Sequence, residues 1–168
     1  MNQWQDDINL FLHLSTKHEV RMLMVGGGAV NFHGYQRHSA DVDFWIDTTE
    51  ENFQKLIKVF NEMGYDIEDF PDQVKQCKQN ISIKFSPADL DLELITNFSV
   101  NKTFNKAYEE AEIVTINKKP LLRWHVLSFE DLITSKVKSG RPKDLLDIQE
   151  LKRLRENNPS DGSTSSDG

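Results

Sequence analysis

The chain has 168 residues, of which 38% are apolar and 28% charged, so it is long enough for one self-sufficient core and too apolar for a disordered chain. The net charge of −7 argues against a general nucleic-acid coat, which needs cations to neutralise phosphates. No apolar run approaches the roughly 20 residues of a membrane span, and MNQWQDDINLF lacks the basic start and apolar centre of a signal peptide. Cys77 is the sole cysteine, which excludes an internal disulfide and a cysteine-based zinc site. The default compartment is the cytoplasm, and no membrane partner is expected.

In chain order, Trp4, Ile8, Phe11, Leu12 and Leu14 recur at helical spacing, predicting an amphipathic helix over residues 3–18. Met22 to Val25 reads as a short strand ended by Gly26, Gly27 and Gly28, and AVNFHGY as a short helix stopped near Gly34. Val42 to Ile46 alternates with acids and reads as a strand. Thr48, three residues before Glu51, predicts a capping box and a helix through Met63, with Asp47 as a further cap. YDIEDF is predicted as a strand. ISIKFS and DLDLELIT are two more, separated by a turn at Ser86 and Pro87.

A helix is predicted over residues 102–112, and IVTIN and PLLRWHV flank a turn at residues 117–119 as a hairpin. Ser128 with Asp131 caps a helix through Ser139. Pro142 suits the first position of the next helix. Residues 157–168 carry no apolar anchor and are predicted to be a disordered tail, leaving residues 1–156 as one domain. Strands and helices mix without strict alternation, which predicts an α+β fold with a mixed central sheet flanked by helices and closed by C-terminal helices.

The chemistry concentrates in few places. Asp41 and Asp43 lie one residue apart on a strand and point to the same face. Such a pair relieves its repulsion by protonation or by a cation, and hard oxygen ligands suit magnesium, which shares its shell with water and phosphates. The glycines at the strand–helix junction let backbone amides approach an anion, although neither a Walker loop nor a dinucleotide fingerprint is present. Asp89, Asp91 and Glu93 share the face of a later strand, where one more carboxylate could complete a two-metal site. Asp91 is the choice among them. From Lys136 to Glu156, seven cations face four acids, a local excess that suits a phosphate-bearing ligand or a solvated helix face. His33, His38 and His125 have no mutual ligand spacing, and Trp45 and Trp124 are read as core.

VGGGAVNFHGYQRHSADVDFWID resembles the signature of the DNA polymerase beta-type nucleotidyltransferase superfamily: apolar strand, Gly-Gly, short helix, then Asp-x-Asp. Its RHSADVD segment is similar to the minimal and AbiEii-like branches, as is LSFEDLITSKVKSGRPKDLLDIQEL near the end, so the resemblance spans residues 20–155. It implies that Gly26 and Gly27 contact a nucleoside triphosphate and that Asp41, Asp43 and Asp91 bind two magnesium ions. Glu93 is the alternative third carboxylate. Lys136 and Lys143 are implied as phosphate-binding, Arg37 and Arg141 more weakly, and Asp144 and Asp147 as positioning these cations.

The implied activity is transfer of a nucleoside monophosphate to an acceptor hydroxyl with release of pyrophosphate. A small molecule suits the acidic chain, and a tRNA or protein acceptor, as in toxin-like relatives, suits the basic C-terminal stretch. The competing reading is a partner protein of the same fold that binds nucleotide without catalysis.

Overall fold

The computed structural model describes residues 3–36, 41–85 and 91–157, the first four of these as backbone only. Helix α1 (Gln3–Lys17) leads into strand β1 (Met22–Val25), helix α2 (Gly26–Phe32), strand β2 (Asp41–Ile46) and helix α3 (Glu50–Glu62). A short helix α4 (Asp72–Lys75) precedes strands β3 (Ile81–Lys84) and β4 (Asp91–Ile95). Helix α5 (Phe104–Glu109), the hairpin β5 (Glu112–Ile116) and β6 (Leu122–Val126), and helices α6 (Phe129–Ser139) and α7 (Pro142–Asn157) complete the chain.

The strands form one mixed sheet in the order β3-β4-β2-β1-β6-β5. β2 runs parallel to β4 and β1 parallel to β6, and the other neighbours are antiparallel. This is the expected α+β architecture. Period-two alternation sends side chains to opposite faces of each strand, so the sheet has a core on each side. On one face, Phe44, Ile46, Leu92 and Leu94 pack with Phe11 of α1 and with Phe53, Leu56 and Phe60 of α3. On the other, Leu23, Val25 and Trp45 pack with Ala29 and Val30 of α2, Leu132 of α6 and Leu151 of α7. No helix of the described residues is long and apolar enough to cross a membrane.

Local signals account for most boundaries. Ser128 Oγ accepts a hydrogen bond from the Asp131 amide at 3.2 Å, and Pro142 opens α7. Gly140 ends α6 in the left-handed region at φ 62°.

Four expectations need correction. The cap of α3 is Thr49, whose hydroxyl accepts from the Asn52 amide, and not Thr48. Asp47 is no cap: its carboxylate binds Arg21 Nε at 2.9 Å, and its carbonyl accepts from the Asn52 side chain. YDIEDF forms no strand, because the Asn61 side chain holds the Ile67 backbone at both its amide and its carbonyl, and Phe70 tucks against Phe53 and Phe60. The glycine triplet is itself the first turn of α2 rather than a loop before it. The Trp4 side chain, residues 37–40, the turn at Ser86 and Pro87, Asp89, and tail residues 158–168 lie outside the described residues.

Candidate functional site

The site gathers at the end of the sheet where β1 finishes and β2 and β4 begin. Parallel pairing places Asp41 opposite Asp91 and Asp43 opposite Glu93. Partners in register lie about 4.8 Å apart on neighbouring strands and share a face. Four carboxylates therefore form a two-by-two grid on one face, while the alternate residues Val42, Phe44, Leu92 and Leu94 turn into or against the α1–α3 core.

Asp43 sits at the most crowded corner. Its pKa is raised to about 6, first by burial and then by the charges of Asp41 and Glu93, with Lys136 and Lys143 pulling the other way. Asp91 Oδ1 is buried without a hydrogen-bond partner among the described atoms. Glu93 is engaged differently, since both its oxygens accept from Ser82 Oγ on β3 at 2.6–2.7 Å.

The glycines and the aspartates meet directly. Gly26 has φ +61°, and a Cβ at that position would collide with the Asp43 carboxylate. Only glycine satisfies both the left-handed backbone and this close approach. A Cβ on Gly28 would crowd Met24 Sδ at 2.8 Å, so that glycine serves packing. Gly27 is buried in the first turn of α2.

Of the two lysines, Lys136 is buried and held between Asp147 at 2.9 Å and Asp144 at 3.3 Å. Asp144 is in turn gripped by Arg141 through Nε at 2.7 Å and Nη2 at 3.2 Å. The ammonium of Lys136 thus reaches Asp43 through its field, with its contacts spent on two carboxylates. Lys143 is exposed, makes no ion pair among the described residues, and adds positive potential at Asp43.

A family model described as "Nucleotidyltransferase of unknown function" (DUF6036) matches residues 4–156. The chain belongs to this family. No match was found among curated proteins. Membership in DUF6036 carries the nucleotidyltransferase assignment without extending to the minimal or AbiEii-like branch.

Two residues of this DUF6036 chain escaped the sequence reading. Ser82 stands opposite Glu93 and Lys84 opposite Asp91 on β3, so both border the carboxylate grid. Their signal was present in the alternation of ISIK, but it had no meaning until β3 was known to flank β4. The three histidines separate cleanly. His33 Nε2 lies 2.7 Å from the Leu127 carbonyl with its ring edge-on to Phe32 and Phe129, and His125 stacks on Tyr108. His38 lies outside the described residues. Trp45 packs between Phe98 and Phe104, as expected of a core residue.

Among the described residues, no three His, Cys, Asp or Glu side chains are arranged as a group that could hold a metal ion. The donor set nonetheless fits a hard cation. It is all carboxylate oxygen, it includes a buried oxygen lacking a donor, and burial first, with the charges of Asp41 and Glu93 added, holds a proton on Asp43 well above the usual carboxylate range.

Proposed function

We propose that this chain transfers a nucleoside monophosphate from a nucleoside triphosphate to an acceptor hydroxyl and releases pyrophosphate. The observation that carries this reading is the contact between Gly26 and the Asp43 corner of the carboxylate grid, which joins an anion-tolerant backbone to a cation-demanding cluster. In this reading the first-turn amides of Gly26 and Gly27 orient the phosphates, and Lys143 offsets the charge of the leaving pyrophosphate. Lys136 supplies a fixed positive field from its place between Asp144 and Asp147.

Asp41, Asp43 and Asp91 would hold two magnesium ions. When bound, these would neutralise the triphosphate and lower the pKa of the acceptor hydroxyl. We assign to Asp91 the acceptor's proton. The acceptor oxygen bonds to the α-phosphorus as the bond to the bridging oxygen of the β-phosphate breaks, and pyrophosphate leaves with that electron pair. The acceptor is a small molecule, a tRNA or a protein, and sizing of the product labelled from α-labelled nucleotide in cell extract distinguishes them.

The test is pyrophosphate release and product labelling by Asp41→Asn and Asp43→Asn proteins shown to be folded by circular dichroism. Loss of at least about a hundredfold is expected when charge stabilisation at the reacting phosphate is removed. Full activity in either variant overturns the assignment. A wild-type protein that binds nucleotide tightly, without divalent cation and without turnover, would instead establish the non-catalytic reading.

A further inference from the structure

Glu93 and the Ser82 hydroxyl stand on the face of the carboxylate grid without a part in the transfer described above. Both oxygens of Glu93 are engaged by one group, since Ser82 Oγ donates to them at 2.7 and 2.6 Å. An aliphatic hydroxyl is a poor nucleophile until its proton has somewhere to go. A carboxylate already in contact with that proton is the arrangement of a nucleophile with its base.

The register places this pair on a particular side of the site. Ser82 lies opposite Glu93, and Glu93 opposite Asp43, so the three form one row across β3, β4 and β2 in steps of about 4.8 Å. Gly26 closes on the Asp43 end of the row, and Ser82 stands at the other. In the proposed reaction the phosphates, and with them the leaving pyrophosphate, lie at the Gly26 end. In-line displacement brings the attacking oxygen from the side opposite the leaving group, which is the side of Ser82. Ser82 is exposed on the outermost strand. Lys84, on the same face two residues on, is exposed and makes no ion pair among the described residues. It offers a cation beside any phosphodiester formed at Ser82.

We propose that Ser82 is itself an acceptor, so that the chain moves a nucleoside monophosphate onto its own hydroxyl. This rests on the proposed transfer reaction and names an acceptor for it within the chain. Ser82 Oγ bonds to the α-phosphorus as its proton passes to Glu93. The bond from that phosphorus to the bridging oxygen breaks, and pyrophosphate leaves with the electron pair. Ser82 is left as a phosphodiester of the nucleoside. Asp91 takes the proton of an acceptor from outside, and Glu93 takes that of Ser82.

The test is incubation of the purified full chain with magnesium and α-labelled ATP, GTP, CTP and UTP in turn. Label should stay with the denatured chain, intact mass should rise by one nucleoside monophosphate, and peptide fragmentation should place it on Ser82. Ser82→Ala should lose the label while still binding nucleotide by calorimetry, and Ser82→Thr, which restores a hydroxyl, should keep it. Glu93→Gln should slow labelling about a hundredfold. Circular dichroism checks that every variant is folded. Wild-type chain that labels components of cell extract but never itself overturns the assignment of Ser82 alone, as does label found on another residue. Chain that labels neither itself nor extract overturns the transfer reaction as well. Glu93→Gln labelled at the wild-type rate removes Glu93 as the base.

Discussion

Asp43 is stabilised in its neutral form because burial and two neighbouring carboxylates all oppose its charge. The folded protein keeps its proton up to about pH 6, whereas the unfolded chain releases it near 3.8. Between those values the folded state binds more protons, so this residue's contribution to stability falls as pH rises and levels off above about 6. Asp43→Asn should therefore gain stability relative to the wild type across that window and hold the gain at neutral pH. Thermal melts in chelator, at several pH values, measure it. A variant no more stable at pH 7 than at pH 4, relative to wild type, would show that the crowding of charge is relieved by other means. The same substitution should abolish activity, separating the requirement of the site from that of the fold.

At the scale of elements, α6 and α7 are locked by one ion group. Lys136 from α6 bridges Asp144 and Asp147 of α7, all three nearly inaccessible to water, and Arg141 at the joint closes on Asp144. Removing one member of a buried group leaves a charge without compensation. Lys136→Met should cost about 3–5 kcal/mol in urea unfolding, because two buried aspartates would then face each other. Arg141→Ala should cost less than about 1 kcal/mol, since its side chain is 57% exposed and its pairing is screened by solvent. Equal losses for the two would mean that the guanidinium anchors the joint as much as the ammonium does.

The helix boundaries here were legible in the sequence: Ser128 and Pro142 act through their own and adjacent backbone groups. YDIEDF was not, because its conformation depends on an Asn61 side chain and on aromatic partners that local alternation does not reveal. The roles of Asp144 and Asp147 followed from the resemblance of their segment, while the burial of Lys136 between them did not.

For the molecule as a whole, the sheet is shared by both cores. Leu92 is fully buried under α1 and α3, and Leu151 fully buried against the opposite core. Leu92→Ala and Leu151→Ala should each destabilise by about 2–5 kcal/mol. Each should still unfold in one transition, coincident by tryptophan fluorescence and far-UV circular dichroism, because neither core survives loss of the sheet. Separate transitions would mean that the α6–α7 side folds as its own unit.

The sequence by itself determined what depends on neighbours along the chain. Asp41 and Asp43 share a face because side chains alternate along a strand, the cap of α6 lies where the Ser128 side chain meets a nearby amide, and mixed strands and helices indicate an α+β fold, to which the resemblance of the Val25–Asp47 segment added the nucleotidyltransferase family. Tertiary structure decided what depends on neighbours across the sheet. The choice of β4 as the partner of β2, in a register that sets Asp91 against Asp41 and Glu93 against Asp43, comes from burying Phe44, Ile46, Leu92 and Leu94 under one pair of helices. The same packing presses Gly26 onto Asp43, brings Ser82 and Lys84 beside the grid, and leaves β5 at an open edge. Burial of these distant side chains together selects one register among several that the alternation alone allows.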